Sequence, residues 1–229
     1  MTNRRAQLLR RALAPCALLA ALALTACGSD DDGPADLPRL GKKGTALDAG
    51  EYRTTKFGPQ TTFEVEKGWS TASSELPDYF DIIRAKSVFE AIAFQRVTNV
   101  VPPEGELSLA AAPRNLASWI RKHPRLAAGP PKRTTVGGKA ATQLDVRVKS
   151  AAPRTKRPDS CAGPCLPLFQ PSDGRPVTYE PGDKLRFVIL EAGDGGVPVT
   201  ITIAASGETF ERFEPQAKKV LSTVKFGGG

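Results

Sequence analysis

The chain has 229 residues, 32 of them basic and 24 acidic, and carries a formal charge of +8 with its one histidine neutral. That length suits a single core-forming domain, and the lone His123 would have to serve any Ser-His-acid triad or Cys-His pair. The basic balance invites a nucleic-acid reading, which the N-terminus removes.

Arg4, Arg5, Arg10 and Arg11 form a positive n-region, residues 12 to 24 a short Ala/Leu-rich h-region, and Leu24, Thr25, Ala26 and Cys27 follow. The last four residues resemble the lipobox of bacterial lipoproteins. The resemblance implies a signal peptide over 1–26 and a mature chain that begins at Cys27. Its thiol would carry a diacylglyceryl group, and each buried CH₂ contributes about 0.8 kcal/mol to membrane binding. The apolar run is shorter than the roughly 20 residues a bilayer requires, and Pro15 interrupts it, so a spanning helix is not expected. Arg10 and Arg11 hint at twin-arginine export, but the pattern is incomplete and Sec export is the expectation. Removing four arginines and no acid leaves 28 basic against 24 acidic residues, or +4. A protein on the outer face of the cytoplasmic membrane does not normally meet nucleic acid, so its expected partners are the membrane itself and a protein or anionic envelope component.

Residues 27–50, rich in Gly, Pro and Asp and without hydrophobic periodicity, read as a lipidated cysteine and flexible linker reaching about 25 to 30 Å. The triplet Asp30 to Asp32 reads as solvation. Residues 51–229 read as one globular domain. Strands are expected over 52–57, 61–65, 79–85 and 89–97, bounded by turn residues and paired antiparallel. A short amphipathic helix over 114–123 follows from Leu116, Trp119 and Ile120, stopped by Pro124.

Gly137 and Gly138 join 133–136 to 141–149 as a hairpin in which Leu144, Val146 and Val148 line one buried face. A second hairpin joins 185–190 to 197–204 through Asp194, Gly195 and Gly196. The stretch 151–183 reads as irregular. Phe210, Phe213, Ala217, Val220, Leu221 and Val224 recur at helical spacing, with a kink or restart expected at Pro215. These elements predict an α+β fold, an antiparallel sheet covered by helices.

The order of WIRKHP, TVGGKAATQLDV, a cysteine pair, a strand hairpin and FERFEPQAKKVLSTVKF resembles that of uncharacterised actinobacterial lipoproteins. These are similar in turn to the PsbP-like fold, an α/β/α sandwich shared with a Ran-binding transport factor. The resemblance implies a fold and no activity, since members of that fold bind partners as different as a photosystem and a GTPase.

Cys161 and Cys165, in an exported protein, are expected to form a disulfide stiffening their local loop by about 2 kcal/mol. A redox role would need C-x-x-C spacing, and zinc would need further ligands, so neither a metal nor a cofactor is expected. His123 reads as a charge at a helix C-terminus. The carboxylate pairs Glu64 and Glu66, Asp78 and Asp81, and Glu104 and Glu106 read as solvated faces. Arg121, Lys122, Arg125, Lys132, Arg133, Arg154, Lys156 and Arg157 would form a surface for anionic lipid or polymer if they converge. The expected function is a non-enzymatic envelope module that binds a protein or envelope component. The alternatives are a small-molecule carrier with an apolar cavity between sheet and helix, and a carboxylate-dependent hydrolase.

Overall fold

The computed structural model describes residues 37–227 apart from 86, 88, 105–107, 160 and 191–195. In chain order the strands are β1 Ala46–Leu47, β2 Gly50–Arg53, β3 Thr61–Val65, β4 Trp69–Thr71, β5 Tyr79–Arg84, β6 Ala91–Arg96, β7 Asn99–Val100 and β8 Ala110–Ala111. After helix α1, Leu116–Lys122, come β9 Leu126–Ala128, β10 Lys132–Val136, β11 Lys139–Val148, β12 Leu166–Phe169, β13 Val177–Tyr179, β14 Lys184–Leu190 and β15 Val199–Ala205. Helix α2, Phe210–Thr223, and β16, Lys225–Phe226, follow.

A nine-stranded antiparallel sheet in the order β1-β4-β5-β6-β15-β14-β11-β10, with β9 also on β11, forms the centre. Its strands alternate, so each feeds two cores. On one face Phe80, Ile82, Phe94, Ile201 and Ile203 pack with Phe213, Ala217 and Val220 of α2 and with Phe63 of the small sheet β16-β3-β2. On the other, Leu144, Val146, Leu185 and Phe187 pack with Leu116 and Ile120 of α1 and with Leu168 and Phe169 of a second small sheet, β13-β12-β7-β8. The fold is thus the expected α+β arrangement, with a helix against each face of the sheet.

The hairpin turn at Gly137 and Gly138 has φ of +56° and +73°, the left-handed pair a two-residue turn of this kind requires. A Cβ on Gly137 would also sit 2.7 Å from the ring of Phe226, so the turn closes onto the C-terminal strand. Asn115 caps α1, its side chain accepting from Ser118 N at 2.8 Å.

Four expectations change. Residues 37–50 belong to the fold, because Arg53 N donates to Pro38 O at 2.9 Å and β1 pairs with β4, burying Leu47. Strand β2 stops at Arg53, before the expected 57, where the carboxylate of the buried Glu75 accepts from the backbone N–H groups of Thr55, Lys56 and Phe57 at 2.6 to 2.8 Å and holds them in a loop. The stretch 151–183 contains β12 and β13, with Leu166 to Phe169 buried throughout. Helix α2 runs through Pro215 without a restart: only the carbonyl of Glu211 loses its helical partner there, while Phe213 and Ala217 stay buried on either side. Asp194 and Gly195 lie outside the described residues.

Candidate functional site

The α1 face carries a cleft of about 820 Å³. Its wall is the start of α1, with Leu116 and Ala117, together with Ala111 and Ala112 of the segment that β8 feeds into the helix. Its floor is the sheet, where Val97, Ile189 and Pro198 face it. The polar groups on the lining are Thr98, Asn115, Thr142 and one cation, Arg114, which is exposed. The described lining holds no carboxylate. The cleft is thus mostly apolar with few polar groups, the general character of small-molecule sites.

Inward of that floor the same sheet face is polar. Asp81 accepts from Ser73 Oγ at 2.5 Å and Tyr79 Oη at 2.9 Å. Burial pushes the Asp81 carboxyl above its usual range against the pull of these hydroxyls. Burial first, then the Asp81 charge, pushes the Tyr79 phenol well up. Gln95 and Thr200, cross-strand partners on β6 and β15, are 3% and 0% exposed. Neither Gln95 Nε2 nor Thr200 Oγ1 has a hydrogen-bond partner among the described residues. The sequence held a signal for this: Gln95 interrupts an apolar strand, and Thr200 and Thr202 recur at period two in VTITIAA on a face that the pattern buries.

The opposite rim of the sheet is closed by charge. Arg186 donates through Nε to Asp145 at 2.5 Å and through Nη1 to Glu214, which Lys218 also meets at 2.5 Å. Burial raises both carboxyls, but the Arg186 bonds, with Lys132 on Asp145 and Lys218 on Glu214, more than offset it and leave both below the usual carboxylate range. These two acids are therefore held ionised by cations.

The other carboxylate pairs do not face one another across a cleft. Glu66, exposed just past the end of the β3 strand that carries Glu64, pairs with Lys219 at 3.3 Å. Asp78 caps Ser172, accepting from its N at 2.8 Å and Oγ at 2.7 Å, while Asp81 is buried as above. Glu104 is exposed, and Glu106 lies outside the described residues, as does Cys27. Cys161 and Cys165 are joined in a disulfide whose second half is buried at the start of β12. His123 is only 3% exposed, so it is not the surface cation expected at a helix end: its Nδ1 accepts from Arg125 N at 3.3 Å and its ring packs edge-on to Trp119.

Six of the eight basic residues gather at one end of the molecule. Arg121 and Lys122 close α1; Arg125 donates to Ala151 O at 2.9 Å, and Arg157 to Ala152 O at 3.0 Å, with Arg154 and Lys156 in the 3₁₀ turn between. Lys149, whose N donates to Arg125 O at 2.9 Å, joins them. Lys132 and Arg133 do not: Lys132 lies opposite Gln143, six residues along β11 from Lys149, about 20 Å at the rise of a strand. It is also paired with Asp145 at 3.6 Å.

No protein-family model and no curated protein matches the chain. Solved structures are similar to it, two of them as follows. LpqN of Mycobacterium tuberculosis, described as involved in cell envelope biogenesis, shares 10% identity at a TM-score of 0.40, over 79% of this chain and 88% of that one. Cyanobacterial PsbP from Synechocystis shares 11% identity at a TM-score of 0.41, over 82% of this chain and 98% of that one. Neither structure supplies an activity or a partner. Among the described residues no helix is long and apolar enough to cross a membrane.

Proposed function

We propose that this chain is an extracytoplasmic lipoprotein, anchored through Cys27 to the outer face of the cytoplasmic membrane, whose domain binds rather than catalyses. The cleft beside α1 is its binding site. The observation that carries this reading is the roughly 820 Å³ of apolar-lined space between sheet and helix, the feature a carrier or a docking module requires. Photo-crosslinking in cells tests it. A photoreactive residue in place of Ala117, on the cleft wall, is expected to capture a defined adduct. The same residue in place of Gln216, on α2, is expected to capture none. Capture from Gln216 alone, or turnover of a substrate by protein in which the cleft has been filled, would sink the reading.

Anchoring has its own test. Cys27→Ala is expected to leave the precursor unprocessed and shift the protein out of the membrane fraction, whereas equal retention of the variant refutes the anchor.

A second reading rests on the gathered cations. Arg121, Lys122, Lys149 and Arg154 are exposed and make no ion pair among the described residues. They suit an anionic envelope surface at roughly 1 kcal/mol per residue. Changing Arg121, Lys122 and Arg154 to Glu should abolish salt-sensitive binding of the domain to anionic vesicles, and unchanged binding would exclude this surface.

A further inference from the structure

The sheet face that floors the cleft continues past its lining. On β6 the next residue on that face beyond Val97 is Gln95, and on β15 the next beyond Pro198 is Thr200, because side chains two apart share a face. Gln95 and Thr200 are direct cross-strand partners, and the other partner of Thr200 is Ile189, itself on the cleft floor. Thr200 is thus bracketed by two cleft residues, with Gln95 about 5 Å beside it.

Both side chains are more than nine-tenths buried and both carry an unpartnered polar atom. Buried polar groups in folded proteins are nearly always paired, so two adjacent exceptions call for a cause. Further along the same face the rule holds at Asp81, which takes the hydroxyls of Ser73 and Tyr79. Among the described residues of the central sheet, the two exceptions sit side by side next to the cleft floor.

The chemistry of the two atoms restricts what they can meet. An amide Nε2 only donates, and a hydroxyl rotates to donate beside it, so the pair suits one acceptor oxygen. The cation of the cleft lining, Arg114, is exposed on its wall. An ionised carboxylate drawn in to Gln95 and Thr200 would be desolvated without a countercharge, which is strongly unfavourable. A neutral carbonyl costs far less to bury and accepts both donors.

The geometry points to the inner end of the cleft as the recognition point for a small, uncharged, largely apolar ligand that carries a carbonyl oxygen, with Gln95 Nε2 and Thr200 Oγ1 as its donors. This rests on the cleft being the binding site and adds the ligand class. A substitution that fills the cleft tests the first claim, and one that removes the donors tests the second.

The experiment uses the mature chain, residues 27–229, with Cys27→Ser to keep it unacylated, and the neutral fluorophore N-phenyl-1-naphthylamine as reporter of the cleft. Decan-2-one is expected to displace the reporter at a concentration at least tenfold lower than decane, the scale of one well-made hydrogen bond. Decanoate at pH 8 is expected to do no better than decane. In the double variant Gln95→Met, Thr200→Val the reporter still binds and the advantage of the ketone disappears. Equal displacement by ketone and alkane in the parent chain would mean that the two donors serve bound water alone and would overturn the proposal. So would an advantage that survives in the double variant. Failure of the reporter to bind the parent saturably would remove the cleft reading and this proposal with it.

Discussion

The two faces of the central sheet are built to different ends. Against α2 the packing is aromatic: Phe80 and Phe94 stack at 4.5 Å, Phe63 lies about 6 Å from both, and Trp69 meets Phe213 at 5.8 Å. The rim of that face is closed by Arg186 between Asp145 and Glu214. Against α1 the same strands bury polar side chains, two of which keep an atom with no partner among the described residues, and line an apolar cleft beside a helix of seven residues. One sheet therefore carries aromatic packing on one side and, on the proposed reading, the binding site on the other. A face already filled with side chains cannot take a ligand, and a face that takes one forgoes packing.

Substitutions on the two faces should separate accordingly. The largest effect is expected from Phe94→Ala on the α2 face, a loss of about 3–5 kcal/mol in denaturant unfolding, because the ring is fully buried against the rings of Phe63 and Phe80. Ligand binding by the fraction that remains folded should be little changed. Arg186→Met should cost about 2 kcal/mol, since it strips a half-buried cation from two carboxylates that keep only lysine partners. Both acids sit below their usual range, so the stability they contribute is present above the unfolded carboxylate pKa and lost as pH falls through the folded values. Thermal melts of Arg186→Met should accordingly show a shallower decline in acid than the parent.

A third substitution acts at the turn between β13 and β14. Burial pushes Asp183 up to about 6, although its carboxylate accepts from Glu180 N at 2.6 Å. A raised carboxyl is more readily protonated folded than unfolded, so its contribution is favourable in acid and declines as pH rises from about 4 to 6. Asp183→Asn should melt with the parent near pH 4 and be more stable by about 1 kcal/mol at pH 7.5, discounted for partial solvation. The smallest effect is expected at Thr200→Val on the α1 face, neutral or up to about 1 kcal/mol stabilising, because it removes an unpaired hydroxyl while keeping its shape. A loss of 2 kcal/mol or more there would mean that the hydroxyl is structurally engaged, and the contrast between the faces would fail.

Much of the fold could be read before the structure because its strongest elements are periodic. Leu144, Val146 and Val148 alternate, the terminal helix repeats Phe210, Phe213, Ala217, Val220 and Leu221, and all are buried as that spacing requires. The short strands were hidden. Leu166 to Phe169 contains a proline and follows a disulfide loop, and Ala46–Leu47 sits in a Gly-rich segment, so each is specified by a distant partner, β13 or β4, and not by local pattern. The site was less legible still. Its lining comes from the end of β6, the approach to α1, β14 and the start of β15, and small residues such as Ala112 and Ala117 mark an absence of packing that no periodicity encodes. The basic residues were visible as clusters, but only the bonds of Arg125 to Ala151 O and Arg157 to Ala152 O show which of them share a surface.

The most direct test of the cleft as the binding site is a titration of N-phenyl-1-naphthylamine into residues 27–229 carrying Cys27→Ser and into the Ala117→Trp variant of that chain, with melting temperatures taken in parallel. Ala117 is half-buried on the cleft wall, so the larger ring is expected to fill the space and abolish saturable fluorescence enhancement while leaving the melting temperature within a few degrees of the parent. Undiminished binding in that variant, or no saturable binding by the parent, would contradict the account.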